Sequence, residues 1–274
     1  MRRFCLTALM LFSLVACTQD FSPDNPLDPE NPDYLAPIVS ITSGPADGDT
    51  LGTTTAVFQF EGNQTAMLYR TKLNLYPWSE WKLNQSVTFE YLDEGNHQFS
   101  LQTKYTTGDT SVVLSIHFTV DALLENSIWL SPGEVKLIDN HPIQISVRLD
   151  EWSLPFVMGS VAIEINPAIM QFDSVEAGSL ATNGLPFLLW QAESENEGVV
   201  HIDFSVLDNN GDAIDGSGEL LCLYFSVLST SFQEEFISLN GGQNGTILRD
   251  ANNDSISISN GQENIIYQTV IKSP

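Results

Sequence analysis

Leu220-Leu221-Cys222-Leu223-Tyr224-Phe225-Ser226-Val227, entered through Gly216-Ser217-Gly218-Glu219, is apolar on both faces of an extended chain. Such a run suits a central strand of a two-layer sandwich, covered on either side. The segments around it alternate instead. Ile143, Ile145, Val147 and Leu149 are separated by polar residues, as are Val161, Ile163 and Ile165, and Val200, Ile202, Phe204 and Val206. Alternation with period two marks strands that bury one face. A last strand is expected from Ile265 to Ile271. No segment holds a 3.6-residue period for ten residues, so helix content should be small. Residues 125–274 therefore read as a jelly roll or sandwich of about nine strands.

Residues 37–121 carry the same grammar in shorter words. Ile38–Ile41, Ala56–Phe60, Met67–Leu73, Val87–Phe89, His97–Leu101 and Val112–Val120 are strand candidates, punctuated by turns such as Gly44-Pro45-Ala46-Asp47-Gly48-Asp49. About seven short strands with turns every 8–12 residues point to a β-sandwich. The chain of 274 residues is long enough for two such domains. The expected fold class is all-β, with two β-sandwich domains.

Ahead of them lie two segments of another character. Arg2 and Arg3 precede an apolar run, Leu6–Val15, too short to span a bilayer as a mature helix. It ends in Leu14-Val15-Ala16-Cys17, which resembles the lipobox of bacterial lipoproteins. That resemblance implies a signal peptide over 1–16 and lipid on Cys17. Thr18 follows in place of the aspartate that retains such proteins at the inner membrane, so an outer-membrane or cell-surface location is expected. Residues 17–36 read as an acidic tether. Pro23, Pro26, Pro29 and Pro32 recur every third residue, matching polyproline II, which would carry the domains roughly 60 Å from the lipid.

The charge narrows the partners. Ten basic residues face 35 acidic ones, and the net charge of −25 becomes −27 once Arg2 and Arg3 are removed with the signal. A surface this acidic repels nucleic-acid phosphates and anionic headgroups, leaving the N-terminal lipid as the expected membrane contact. Of three cysteines, Cys5 leaves with the signal, Cys17 takes the lipid, and Cys222 sits in an apolar strand as a small hydrophobe. With no disulfide pair, the domains must be held by their cores.

Two family resemblances follow from these blocks. Trp78-Ser79-Glu80-Trp81, Val87-Thr88-Phe89 and Leu92-Asp93-Glu94-Gly95-Asn96-His97-Gln98-Phe99-Ser100-Leu101 resemble bacterial fibronectin type III or immunoglobulin-like modules over 37–121. Residues 125–274 resemble the cohesin family through five blocks in order: Ile143–Val147; Gly159–Pro167; Phe172-Asp173-Ser174-Val175 with Gly178 and Leu180; Gly198-Val199-Val200-His201-Ile202; and Gly216–Val227. Ile165-Asn166 departs from the family's Tyr-Asp before Pro167. The cohesin resemblance implies a protein-docking receptor for a dockerin-type module, in the setting of polysaccharide degradation.

Candidate chemistry is sparse. Asp208, Asn210 and Asp212 place oxygen ligands at alternate positions with Glu219 twelfth, a spacing like an EF-hand's, but Ala213 stands where that loop needs glycine. Asp250, Asn252 and Asp254 repeat the pattern. Both loops are Ca2+ candidates, with Asn/Gly-rich hairpin turns as the alternative. Tyr76, Trp78, Trp81 and Trp190 are candidates for stacking on sugar rings, or else for packing over their sandwiches. His97, His117, His141 and His201 show no metal-ligand spacing, and there is no G-x-S-x-G elbow or phosphate loop, so no catalytic activity is expected. The alternatives to docking are direct polysaccharide binding by the same sandwich, or a surface adhesion stalk without a specific ligand.

Overall fold

A computed structural model describes residues 25–137, 142–180, 198–206, 213–240, 245–258 and 268–273, with the main chain alone for 187–194. The first module contains β1 (Val39–Ser43), β2 (Asp49–Leu51), β3 (Ala56–Gly62), β4 (Leu68–Leu73), β5 (Ser86–Phe89), β6 (Gly95–Lys104) and β7 (Leu114–Val120). They form two sheets, β1-β3-β5 and β2-β7-β6-β4. Alternation decides which side chains meet between them. Phe58, Phe99 and Phe118 are fully buried, and the Phe58 and Phe99 rings stack 3.9 Å apart.

The second module holds β8 (Ser127–Ser131), β9 (Glu134–Lys136), β10 (Ile143–Asp150), β11 (Met158–Glu164), β12 (Met170–Ala177), β13 (Phe187–Ser194), β14 (Val199–Val206), β15 (Gly218–Val227), β16 (Glu234–Leu239), β17 (Ile247–Arg249), β18 (Ser255–Ile256) and β19 (Gln268–Lys272). One sheet runs β12-β15-β10-β8. The other runs β13-β14-β11-β16-β19-β9, with the β17–β18 hairpin added on β11. The fold is all-β, as the alternation requires. The strands beyond the nine expected include short β9, β17 and β18, which lack the length to leave a periodic signal. Central β15 lies between β12 and β10, and its Leu221, Leu223 and Phe225 belong to the core with Ile145, Val161, Ile163, Ile202 and Phe204. Gly159 has no side chain because Phe204 and Leu248 occupy the space a Cβ would need.

The segment read as extended departs from that reading. Residues 25–33 wind through successive turns rather than a polyproline path. The side chains of Asn25, Asp28 and Asn31 accept the amides of Leu27, Glu30 and Asp33 at 3.0, 3.0 and 2.8 Å. Their carbonyls accept the amides of Asp28, Asn31 and Tyr34. Each Asn or Asp precedes a proline, which presets the next φ for a turn, so the three-residue period belongs to Asx-Pro turns. The strap is then fixed to the module. Leu27 and Tyr34 pack on its core, the buried Tyr105 hydroxyl donates to the Leu35 carbonyl at 2.7 Å, and the Asn63 amide donates to the Ala36 carbonyl at 2.9 Å.

Candidate functional site

Strand parity separates the inner from the outer face of each sheet in the second module. On the β12-β15-β10-β8 sheet the outward polar groups are spent on one another. Ser146 donates to Glu219 at 2.5 Å, Gln144 to the Cys222 sulfur at 3.0 Å, Tyr224 to Glu176 at 3.1 Å and Ser226 to Asp173 at 2.7 Å. Arg148 lies over Trp129 at the β8 edge, where Trp129 is buried although it belongs to neither core.

The outer face of β14, β11 and β16 is different. Val200, Ile202, Phe204 and Val206 point into the core, which turns Val199, His201, Asp203 and Ser205 outward. Register sets Ser160 beside Asp203 and Ala162 beside His201 on β11, and Glu164 beside Ser238 of β16. Phe236 adds an exposed ring. Ser160 and the fully buried Ala162 put small side chains at its middle. Asp203 and Glu164 supply its negative charge, and Glu164 is bonded by Asn240 at 2.5 Å.

Beyond β16 the same sheet meets the first module. Lys272 pairs with Glu134 at 2.6 Å and lies over Tyr91, while Lys136 also pairs with Glu134 at 3.1 Å. Burial would raise the Glu134 pKa, but the bonds from Lys272 and Lys136 outweigh it and hold it below the usual range. The Tyr91–Glu94 turn between β5 and β6 reaches across. The Asp93 carboxylate accepts the Gly133 amide at 2.6 Å and the Ser131 hydroxyl at 2.9 Å. Gly133 packs so close to the Tyr91 carbonyl that no Cβ would fit. Glu94 accepts the Ala122 amide at both oxygens, 2.9 Å to Oε1 and 3.2 Å to Oε2, and the Leu123 amide at Oε1, 3.0 Å, where the chain leaves the first module. Buried His97 holds the base of the turn, its Nε2 2.8 Å from the Asp93 carbonyl and its Nδ1 3.0 Å from the Asn74 amide. In the sequence these residues stand out only within the Leu92–Leu101 block. Their partners lie 28 to 40 residues away, beyond any local pattern.

The aromatic candidates are divided. Trp78 and Trp81 come together on the outer face of β4 and β6, with the Arg70 guanidinium 4.6 Å from each ring and Lys104 4.7 Å from Trp81. Arg70 also donates twice to the Gln102 carbonyl oxygen, at 3.0 and 2.6 Å. Tyr76 is exposed. Its pKa is raised by burial and by the charges of Asp93 and Glu134. Trp190 lies on β13 opposite Asp203, and its side chain is outside the described residues. Cys17, Asp208, Asn210 and Asp212 are outside them too. In the β17–β18 turn the Asp250 carboxylate accepts the amides of Asn252 and Asp254, both at 2.9 Å. Among the described residues, no group of three His, Cys, Asp or Glu side chains is placed to hold a metal ion.

No protein-family model matches the chain, and no curated protein matches it. Solved structures similar to it are cohesins. The sixth cohesin of scaffoldin B from Acetivibrio cellulolyticus, in complex with the Cel5 dockerin, is 14% identical over 55% of this chain and 100% of its own, with a TM-score of 0.44. A non-cellulosomal cohesin from the archaeon Archaeoglobus fulgidus is 14% identical over 55% of this chain and 92% of its own, with a TM-score of 0.41. The cohesin CaCohA2 from Clostridium acetobutylicum is 16% identical over 54% and 92%, also with a TM-score of 0.41.

Proposed function

We propose that this chain is a non-catalytic, exported, lipid-anchored receptor whose second module docks a dockerin-type protein module. The anchor is Cys17, at the outer membrane or cell surface, and the setting is polysaccharide degradation. The observation that carries the reading is the outer face of β14, where Val199, His201, Asp203 and Ser205 are part-exposed, while the opposite sheet has its polar groups bonded to one another. The cohesin-like blocks in the sequence run through the strands that build this face: Gly159–Pro167 spans β11 and Gly198–Ile202 opens β14.

The test is calorimetric titration of the full chain with the dockerin modules encoded in the same genome. Binding by one of them, weakened at least about tenfold by Asp203→Lys and left unchanged by Ser226→Arg on the opposite sheet, is the expected result. Failure of every dockerin to bind, or equal sensitivity to both substitutions, contradicts it.

A second reading rests on Trp78 and Trp81, which stay part-exposed beside Arg70 and Lys104. There they would stack on a polysaccharide. Quenching of tryptophan fluorescence by soluble glycans, lost in Trp78→Ala, supports it, and no quenching removes it.

A further inference from the structure

We propose, on the strength of the docking reading above, that the first module forms one wall of the docking site. A dockerin-type partner seated on β14, β11 and β16 also bears on Glu90, and it sets a basic side chain into the hollow beside Phe236.

The docking face is one part of a longer sheet. Past β11 its outer side continues through Glu234 and Phe236 on β16, Val270 and Lys272 on β19, and Glu134 and Lys136 on β9. The residues between them, Ile237, Ile271 and Val135, turn inward to the core. Val270 is nevertheless fully buried and belongs to neither core. The first module supplies the cover on that side, where the Lys272 ammonium lies 5.5 Å from the centre of the Tyr91 ring. Asp93 fixes the cover in place. Its two oxygens take the Gly133 amide and the Ser131 hydroxyl of the second module, at 2.6 and 2.9 Å.

Size then brings a partner against this wall. β11, β14 and β16 have seven, eight and six residues. At about 3.3 Å per residue and about 4.8 Å between strands, they present roughly 330 Å² of sheet. A standard interface covers about 800 Å² on each partner. A partner centred on these strands therefore overhangs them. On the β16 side the overhang meets the first module within about two strand spacings, roughly 10 Å.

The boundary itself is shaped to receive a side chain. A hollow of about 580 Å³ opens there, lined by Gln233, Glu234, Phe236, Lys272 and Ser273. Its own cation is already engaged. Lys272 is held by Glu134 at 2.6 Å, with Glu234 at 3.8 Å, and it also feels the charge of Glu90 from the first module. Lys136 is held by Glu134 as well, at 3.1 Å. Three carboxylates thus meet two ammonium groups. Glu90, Glu234 and the Phe236 ring are all exposed, and an aromatic face beside unspent carboxylates attracts a cation.

Calorimetric titration of full-chain variants with the dockerin modules encoded in the same genome tests it. Glu90→Arg, on the first module, should weaken binding at least about fivefold, and Phe236→Ala by a similar factor. Glu61→Arg makes the same charge change on exposed β3 of the first module and should leave affinity within about twofold. If Glu90→Arg or Phe236→Ala binds at wild-type strength while Asp203→Lys still weakens binding, the wall is overturned and docking on the sheet stands. Equal losses in Glu90→Arg and Glu61→Arg overturn the wall too, because overall charge alone would then be felt. No binding by any dockerin removes the docking reading, and the wall with it.

Discussion

Arg70 joins two aromatic rings and a buried amide. Its guanidinium is 4.6 Å from both Trp78 and Trp81, and it donates twice to Gln102, which in turn donates to the Ser111 carbonyl at 2.8 Å. A flat cation between indole faces gains about 0.5–2 kcal/mol from each contact, depending on exposure. Arg70→Ala should therefore cost about 1–3 kcal/mol in thermal or urea unfolding and redshift tryptophan emission. Arg70→Lys should recover only part, because an ammonium lacks the planar fork that meets Gln102. An unchanged melting temperature for Arg70→Ala would mean the cluster holds nothing. The Trp-Ser-x-Trp spacing announced an aromatic pair. The cation between the rings was not legible, since Arg70 enters from the neighbouring strand.

At the scale of the element, β15 and the strap differ in legibility. The run Leu220–Val227 announced a buried strand, and Leu221, Leu223 and Phe225 do face the core, but the expectation of cover on both faces fails: Cys222, Tyr224 and Ser226 face outward, where they bond Gln144, Glu176 and Asp173. Leu223→Ala should cost about 2–5 kcal/mol, measured by urea unfolding, as the side chain is fully buried in the core. A cost under about 1 kcal/mol would show that the site collapses around the loss. The strap misled through an ambiguous period. Proline every third residue fits polyproline II and Asx-Pro turns equally, and only the acceptor side chains Asn25, Asp28 and Asn31 ahead of each proline tell them apart. Replacing all three by alanine should free residues 25–36, so that limited proteolysis cuts there before the module itself is attacked. Cutting at the wild-type rate would contradict the turn ladder.

Across the whole molecule, local pattern gave way to contacts between distant residues. The alternating strands and the two sandwiches follow from residue spacing. The joint does not, because Asp93 and Gly133 come together only after both modules have folded. The same holds for the choice between the two outer faces, which depends on which polar side chains find partners. Gly133→Ala should disturb the joint without unfolding either module, since its Cβ would meet the Tyr91 main chain. Small-angle scattering should then report a wider range of shapes while circular dichroism stays that of the native chain. Docking of a protein module on the β14-β11-β16 face is open to carboxyl footprinting of the full chain with and without a bound dockerin module. Asp203 and Glu164 should become protected from carbodiimide labelling while Asp173 and Glu176 on the opposite sheet label as before. Protection of Asp173 and Glu176 instead, or of none of the four, would contradict it.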